Sequence, residues 1–172
     1  HHDHKFEKRL IKDFRKKYTN IDYFVLLTDR LEDEVKVMMK DNTHTKCVVI
    51  PNFLADMDEV RNSQRKRQVL AVGRLHEVKG FERLIKIWKR FDAKDGTMLK
   101  IIGDGQEKES LQHLIDKYCL QEKVIMTGEL SHEKVMEEMC QSLCYVMTSY
   151  SEAFPFVLIE AMAGGLPVVA YD

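Results

Sequence analysis

Val69-Leu70-Ala71-Val72-Gly73-Arg74-Leu75-His76-Glu77-Val78-Lys79-Gly80-Phe81-Glu82-Arg83-Leu84-Ile85-Lys86-Ile87-Trp88 carries a strand, a loop and a helix in succession. The four apolar residues before Gly73 read as a short buried strand, and Phe81, Leu84, Ile85 and Trp88 recur at the spacing of one helical face. A strand that feeds such a helix is the repeating unit of a parallel sheet with helical crossovers. The alternation continues downstream. Met98–Ile102 reads as a strand, Gly103-Asp104-Gly105 as a turn, and Leu111, Leu114, Ile115 and Tyr118 as a second helical stripe. Val124-Ile125-Met126 and Leu143–Met147 flank a helix opened by Ser131. A last helix begins near Pro155 and stops at Gly164-Gly165, before the strand Val168-Val169-Ala170. Upstream, Tyr23–Leu27 and Cys47–Ile50 read as strands. Between them Thr28 caps a helix with Leu31, Val35, Met38 and Met39 on one face. The stretch from Ala55 to Gln68 carries Arg61, Arg65, Lys66 and Arg67 with almost nothing to bury. The expected class is α/β: a Rossmann-like doubly wound parallel sheet over residues 68–172, a solvated linker over 53–67, and the tail of a preceding domain over 1–52.

Lysine and arginine number 27 against 28 acidic residues, a net charge of −1. The chain lacks the basic excess that a phosphate backbone demands, so no nucleic-acid partner is expected. With 44% apolar residues in 172, it can close a core. No apolar run nears the ~18 residues that cross a bilayer. The opening His1-His2-Asp3-His4 lacks the apolar centre of a secretion signal and reads as a tag remnant or frayed end, so the expected location is the cytoplasm. Cys47, Cys119, Cys140 and Cys144 fall in or beside apolar stretches with no histidine pair spaced for zinc. They read as buried reduced thiols, and no metal is expected.

Doubly wound sheets bind ligands beyond the carboxyl ends of their strands, so the loops there hold the candidates. Gly73 to Gly80 brings Arg74 and Lys79 within five residues, where a guanidinium and an ammonium can reach one diphosphate. Taken alone, such a pair is ordinary surface charge. Gly103-Asp104-Gly105 is half of a dinucleotide fingerprint, but Lys108 stands where the third glycine belongs. That disfavours a nicotinamide enzyme and leaves a tight turn that can lie under a base or sugar. The strongest group runs from Ser151 to Pro167. Pro155 fits a first helical turn, so the amides from about Phe154 to Val157 face outward as an anion site. Glu152 lies just before that mouth, and Glu160 is five residues past Pro155, ~7.5 Å further along the axis. Carboxylates accept paired hydrogen bonds from vicinal hydroxyls, and Glu160 is a lone acid in an apolar helix, which favours a ligand over solvent exposure.

With those residues in view, the chain resembles the retaining glycosyltransferases of family 4, or group 1, built as two facing Rossmann-like domains in the GT-B architecture. The likeness rests on the E-x7-E element from Glu152 to Glu160, running into Ala161-Met162-Ala163-Gly164-Gly165-Leu166-Pro167. It is supported by Gly73-Arg74-Leu75 with Lys79-Gly80, by Gly103-Asp104-Gly105 and by Thr127-Gly128-Glu129-Leu130. The resemblance implies a donor domain over residues 68–172, truncated at its C-terminus, and a remnant of the acceptor-side domain over 1–52. It implies that Arg74 and Lys79 grip the donor diphosphate and that Glu152 binds hydroxyls of the transferred sugar, these three being catalytic. Glu160 would bind the ribose. The amides around Phe154, Phe156 and Val157 would meet sugar and phosphate, Gly73 and Ala153 would join them in binding the donor, and Gly103, Asp104, Gly105, Gly128, Glu129 and Leu130 would border the base. The donor would be a nucleotide-diphosphate sugar, of the UDP type first, with no cofactor and no metal. The whole protein would pass a sugar to a hydroxyl acceptor with retained configuration, by front-face attack within an ion pair, in cell-surface polysaccharide or glycoconjugate synthesis. A membrane surface stays open as a place of attachment.

Two departures accompany the likeness. Ala153 stands where the family usually has glycine, which narrows the sugar pocket. The family's first domain is nearly absent, and its Gly-rich loop and catalytic-side histidine have no candidate, so the fragment is expected to bind a nucleotide without turning over. Three other readings stay open from the residues. Glu152 and Glu160 can be the acid and base of a glycoside hydrolase, the fold can serve a sugar-nucleotide epimerase, or the chain can be a non-catalytic nucleotide-binding module.

Overall fold

The computed structural model describes residues 11–12, 15–17, 20–39, 42, 44–53, 65–91, 95–152 and 155–171. His1, His2, His4, Ala153, Phe154, Asp172, residues 54–64 of the expected linker and the Leu31 side chain lie outside the described residues. The chain divides into two compact units, His1–Phe53 and Leu54–Asp172.

In the first unit, β1 (Tyr23–Leu26) pairs in parallel with β2 (Lys46–Val49), Tyr23 opposite Lys46 and Leu26 opposite Val49. The hydroxyl of Thr28 accepts from the Arg30 amide at 3.3 Å. It caps a 3₁₀ turn, Asp29–Leu31, that runs into α1 (Glu32–Met38). Leu26, Val35 and Met39 form the core under that helix.

The second unit is a five-stranded parallel sheet of β3 (Gln68–Val72), β4 (Met98–Ile102), β5 (Val124–Met126), β6 (Cys144–Met147) and β7 (Val168–Ala170), in spatial order β5-β4-β3-β6-β7. The connecting helices are α2 (Phe81–Trp88), α3 (Lys108–Lys117), α4 (His132–Gln141) and α5 (Phe156–Ala163). Side chains of a strand alternate between faces, and the two cores follow that period. Val69, Ala71, Leu99 and Ile101 pack under α2 and α3, whereas Leu70, Ile102 and Tyr145 pack under α4 and α5. All four residues of the stripe on α2 are buried. The chain steps outward from β3 to β4 to β5, then returns to the other side of β3 for β6 and β7. The connections of β3 and β6 therefore leave in opposite directions, which opens a crevice between their carboxyl ends.

At the opposite end of the sheet, Glu138 accepts from Gln68 at 2.6 Å and from Lys100 at 2.8 Å. Burial pushes the Glu138 carboxyl up, but the hydrogen bonds from Lys100 and Gln68 outweigh it, and the net shift is downward. A lowered folded pKa contributes stability above the unfolded value and loses it as pH falls through the folded one. Glu138→Gln should therefore flatten urea-unfolding stability against pH below about 4.3, by on the order of 1 kcal/mol; an unchanged acid limb would rule this out.

Three expectations require correction or refinement. Cys119 is exposed rather than buried, and only Cys140 of the four thiols is fully buried. The reason is the end of α3: Cys119 takes a left-handed φ of 54°, which turns the chain so that Leu120, 5% exposed, enters the core instead. Pro155 is the N-cap residue of α5, extended at φ −75° and ψ 94°, one place before the first helical turn. The end of the basic stretch is held within the second unit rather than wholly solvated: Arg65 donates to the Gly165 carbonyl at 2.8 Å, and Gln68 is buried at the start of β3.

Candidate functional site

The loops beyond β3, β4 and β5 are tied together through their backbones. Gly73 N donates to Ile102 O at 3.0 Å, Leu75 N to Asp104 O at 2.9 Å and Gly103 N to Gly128 O at 2.9 Å. Such close approach leaves no room for side chains. A Cβ on Gly103 would lie 1.9 Å from the Gly73 carbonyl oxygen, and one on Gly105 2.5 Å from that of Leu75. These two glycines let the segment carrying Arg74 cross directly over the β4 turn.

Past Leu75 the chain forms a 3₁₀ turn, Glu77–Lys79, capped by His76, whose Nδ1 accepts from the Val78 amide at 3.2 Å. Gly80, left-handed at φ 67°, ends the turn and starts α2. The turn presents Lys79 to the loop beyond β6. There Lys79 Nζ donates to Glu152 Oε1 at 2.6 Å, and Ser149 Oγ donates to the same oxygen at 2.6 Å. The two charged side chains are 25% and 20% exposed, so the pair is shielded more than a surface ion pair and less than a core one.

Between this turn, the start of α4 and the start of α5 lies a cavity of about 780 Å³. Gly73, Arg74, Lys79, Leu130, Glu152, Phe156, Val157 and Glu160 all line it, so eight of the candidates, drawn from four separate loops and helices, meet on one space. Arg74 is exposed there. Pro155 supplies no side-chain cap to α5, and no acidic residue occupies that helix's first turn. The amides of Phe156 and Val157 have no intrahelical acceptor and give the cavity wall a partial positive charge. Glu160 is buried, 8% exposed, and not turned to solvent. Its carboxylate faces His132 Nδ1 at 3.6 Å.

Gly103, Asp104, Gly105, Gly128 and Glu129 do not line this cavity. Gly103, Gly105 and Gly128 form the backbone platform beneath the Arg74 segment, and Glu129 is exposed beside it. Asp104 accepts from Lys108 at 2.6 Å and from the Gly105 amide at 2.7 Å, and these bonds hold its carboxyl below the usual range. Ala153 and Phe154 lie outside the described residues. His76, Val78 and His132 line the cavity without having been singled out in the sequence. His132 had a usable signal: it directly follows the N-cap Ser131, and a helix that starts beyond β5 opens at the same end of the sheet as the other loops.

A doubly wound sheet with a mixed-charge cavity at its switch point has the arrangement in which α/β domains bind their ligands. The chain belongs to the group 1 glycosyl transferases, whose family model matches residues 53–172. It is 41% identical over 121 residues to the amylovoran biosynthesis glycosyltransferase AmsD of Erwinia amylovora, covering 70% of this chain and 33% of that protein. It is 32% identical over 155 residues to an uncharacterized glycosyltransferase of Haemophilus influenzae, covering 90% of this chain and 43% of that one. The chain thus spans less than half the length of either relative. Among solved structures, S. aureus TarM, crystallised with Fondaparinux, alpha-GlcNAc-glycerol and UDP, superposes with a TM-score of 0.77 at 24% identity, over 98% of this chain and 32% of TarM. That likeness concerns the fold, the Rossmann-like sheet of the GT-B architecture. Among the described residues no helix is long and apolar enough to cross a membrane.

Proposed function

We propose that the second unit holds the donor site of a retaining glycosyltransferase, and that the donor is a nucleotide-diphosphate sugar, of the UDP type first. The observation that carries this is one cavity in which two cations and the start of a helix face two carboxylates. A diphosphate matches the first set, because its charge is met by Arg74, Lys79 and the Phe156 and Val157 amides. Sugar and ribose hydroxyls match the second, because Glu152 and Glu160 offer paired acceptors. In the reaction, the bond between anomeric carbon and diphosphate oxygen breaks with its electron pair on that oxygen. The acceptor hydroxyl oxygen then bonds to the same face of the sugar and gives its proton to the departing diphosphate oxygen. Arg74, Lys79 and the helix amides stabilise the charge that develops on the leaving diphosphate, so the chemistry of this site requires no metal.

The whole protein is proposed to act from the cytoplasm in cell-surface polysaccharide or glycoconjugate synthesis, a reading supported by the likeness to AmsD. Glu152 speaks against a two-carboxylate hydrolase: Lys79 and Ser149 both donate to it, an arrangement suited to an acceptor of hydroxyls rather than a giver of protons. Calorimetry of this chain with UDP, GDP and ADP tests the reading. UDP is expected to bind in the micromolar range and a UDP-sugar more tightly, with no sugar transfer by the chain alone. A failure of all the nucleotides to bind would overturn the donor site, and steady turnover would overturn the expectation that the fragment is inactive.

A further inference from the structure

Arg83 lies on the first turn of α2, and its guanidinium hydrogen-bonds the loop that carries Glu152. Its Nε donates to Thr148 O at 2.8 Å, and one terminal nitrogen donates to the same carbonyl and to Ser149 O at 2.9 Å. The same group lies over the ring of Tyr150, 4.0 Å from the centroid, and over that of Tyr171 at 4.1 Å. An arginine stacked on aromatic rings while its planar fork engages two carbonyls is held in one orientation, which a lysine cannot reproduce.

What Arg83 holds is the seam between the two halves of the cavity. Thr148 Oγ1 donates to the Gly80 carbonyl at 3.1 Å, and Tyr150 N donates to Val78 O at 2.7 Å. A Cβ on Gly80 would lie 2.1 Å from Thr148 O, so the turn that presents Lys79 and the loop that presents Glu152 lie backbone to backbone. Thr148 and Ser149 are the two residues whose carbonyls Arg83 takes up, and Ser149 is also the hydroxyl that bonds Glu152. Arg83 itself is absent from the lining of the cavity.

We propose that Arg83 is a positioning residue: by clamping the Thr148–Tyr150 backbone between α2 and Tyr171 it fixes the distance at which Lys79 and Glu152 meet the ligand. This rests on the donor-site reading above. The test measures UDP affinity of this chain by calorimetry for Arg83→Ala, Arg83→Gln and Arg83→Lys, with and without millimolar guanidinium chloride. Arg83→Ala and Arg83→Gln are expected to weaken UDP binding by ~10-fold or more. Guanidinium should restore part of the affinity of Arg83→Ala and none of that of Lys79→Ala. Arg83→Lys should fall between, and it decides the matter if the alanine variant does not fold. Wild-type affinity in these variants, or a loss that guanidinium leaves unchanged, would overturn the proposal. If the wild type itself binds no UDP, the donor-site reading fails and the clamp is judged by hydrogen exchange at the Tyr150 amide. Faster exchange in Arg83→Ala, slowed again by guanidinium, would uphold the clamp, and unchanged exchange would overturn it.

Discussion

Lys79→Ala should lower the affinity of this chain for UDP by about 100-fold, the loss of a charge-assisted contact of 2–3 kcal/mol at a diphosphate. The effect is large because of where Lys79 sits. Its side chain is only a quarter exposed and its ammonium already bonds Glu152 at 2.6 Å, so it acts at close range with little water between. Arg74, exposed on the same cavity, should matter less, by about 10-fold. Removing Lys79 also leaves the Glu152 carboxylate with Ser149 as its remaining donor, so unfolding by urea should show a stability loss on the order of 1–2 kcal/mol. Lys79→Arg keeps the charge and should retain most of both. UDP binding within twofold of wild type in Lys79→Ala would remove Lys79 from the diphosphate site.

The second large effect is on stability. Gly103→Ala should destabilise the second unit by on the order of 3 kcal/mol or more, because a methyl has to enter space held by the Gly73 backbone. The contact distance is 1.9 Å at a φ of 145°, so both the carbonyl and the backbone angle oppose the change. Gly96 provides the control. Its φ is 77°, yet among the described residues a Cβ there meets nothing within 4 Å; Gly96→Ala should cost only the left-handed strain, about 1 kcal/mol. Equal urea midpoints for the two variants would mean that the crossing of the two loops is not tight.

The same crossing marks the limit of what could be read beforehand. The stripe Phe81, Leu84, Ile85, Trp88 was legible because core burial imposes a period that the side chains display, and the strands were legible because they are short, largely apolar runs, most of them stopped by Gly, Pro or charge. The meeting of Arg74, Lys79, Glu152 and Glu160 on one cavity was legible only through strand-end logic, since nothing local in the chain joins residues some eighty positions apart. Gly103 and Gly105 were read as a turn beneath a base. Their close contacts are with the Gly73 and Leu75 carbonyls, which no spacing reveals, because the neighbour belongs to another loop. Arg83 was hidden for a related reason. On its helix it is one more polar residue beside the buried stripe, and its partners, the carbonyls of Thr148 and Ser149, are backbone atoms that carry no residue signature. Cys119 was misplaced because its burial was inferred from the apolar stretch beside it, whereas a left-handed turn at the helix end leaves it exposed.

The short bond between Lys79 and Glu152 has an implication for selectivity amid the abundant phosphate of a cell. An anion that draws Lys79 away leaves Glu152, its side chain four-fifths shielded from water, with the Ser149 hydroxyl alone unless the anion itself brings a new donor. Inorganic phosphate at neutral pH brings charge but few hydrogens to give. A molecule joining a diphosphate to a polyol brings both, and so replaces what it disrupts. The resting site is its own counterion, and the visitor it admits most readily is one that can answer both of its charges together.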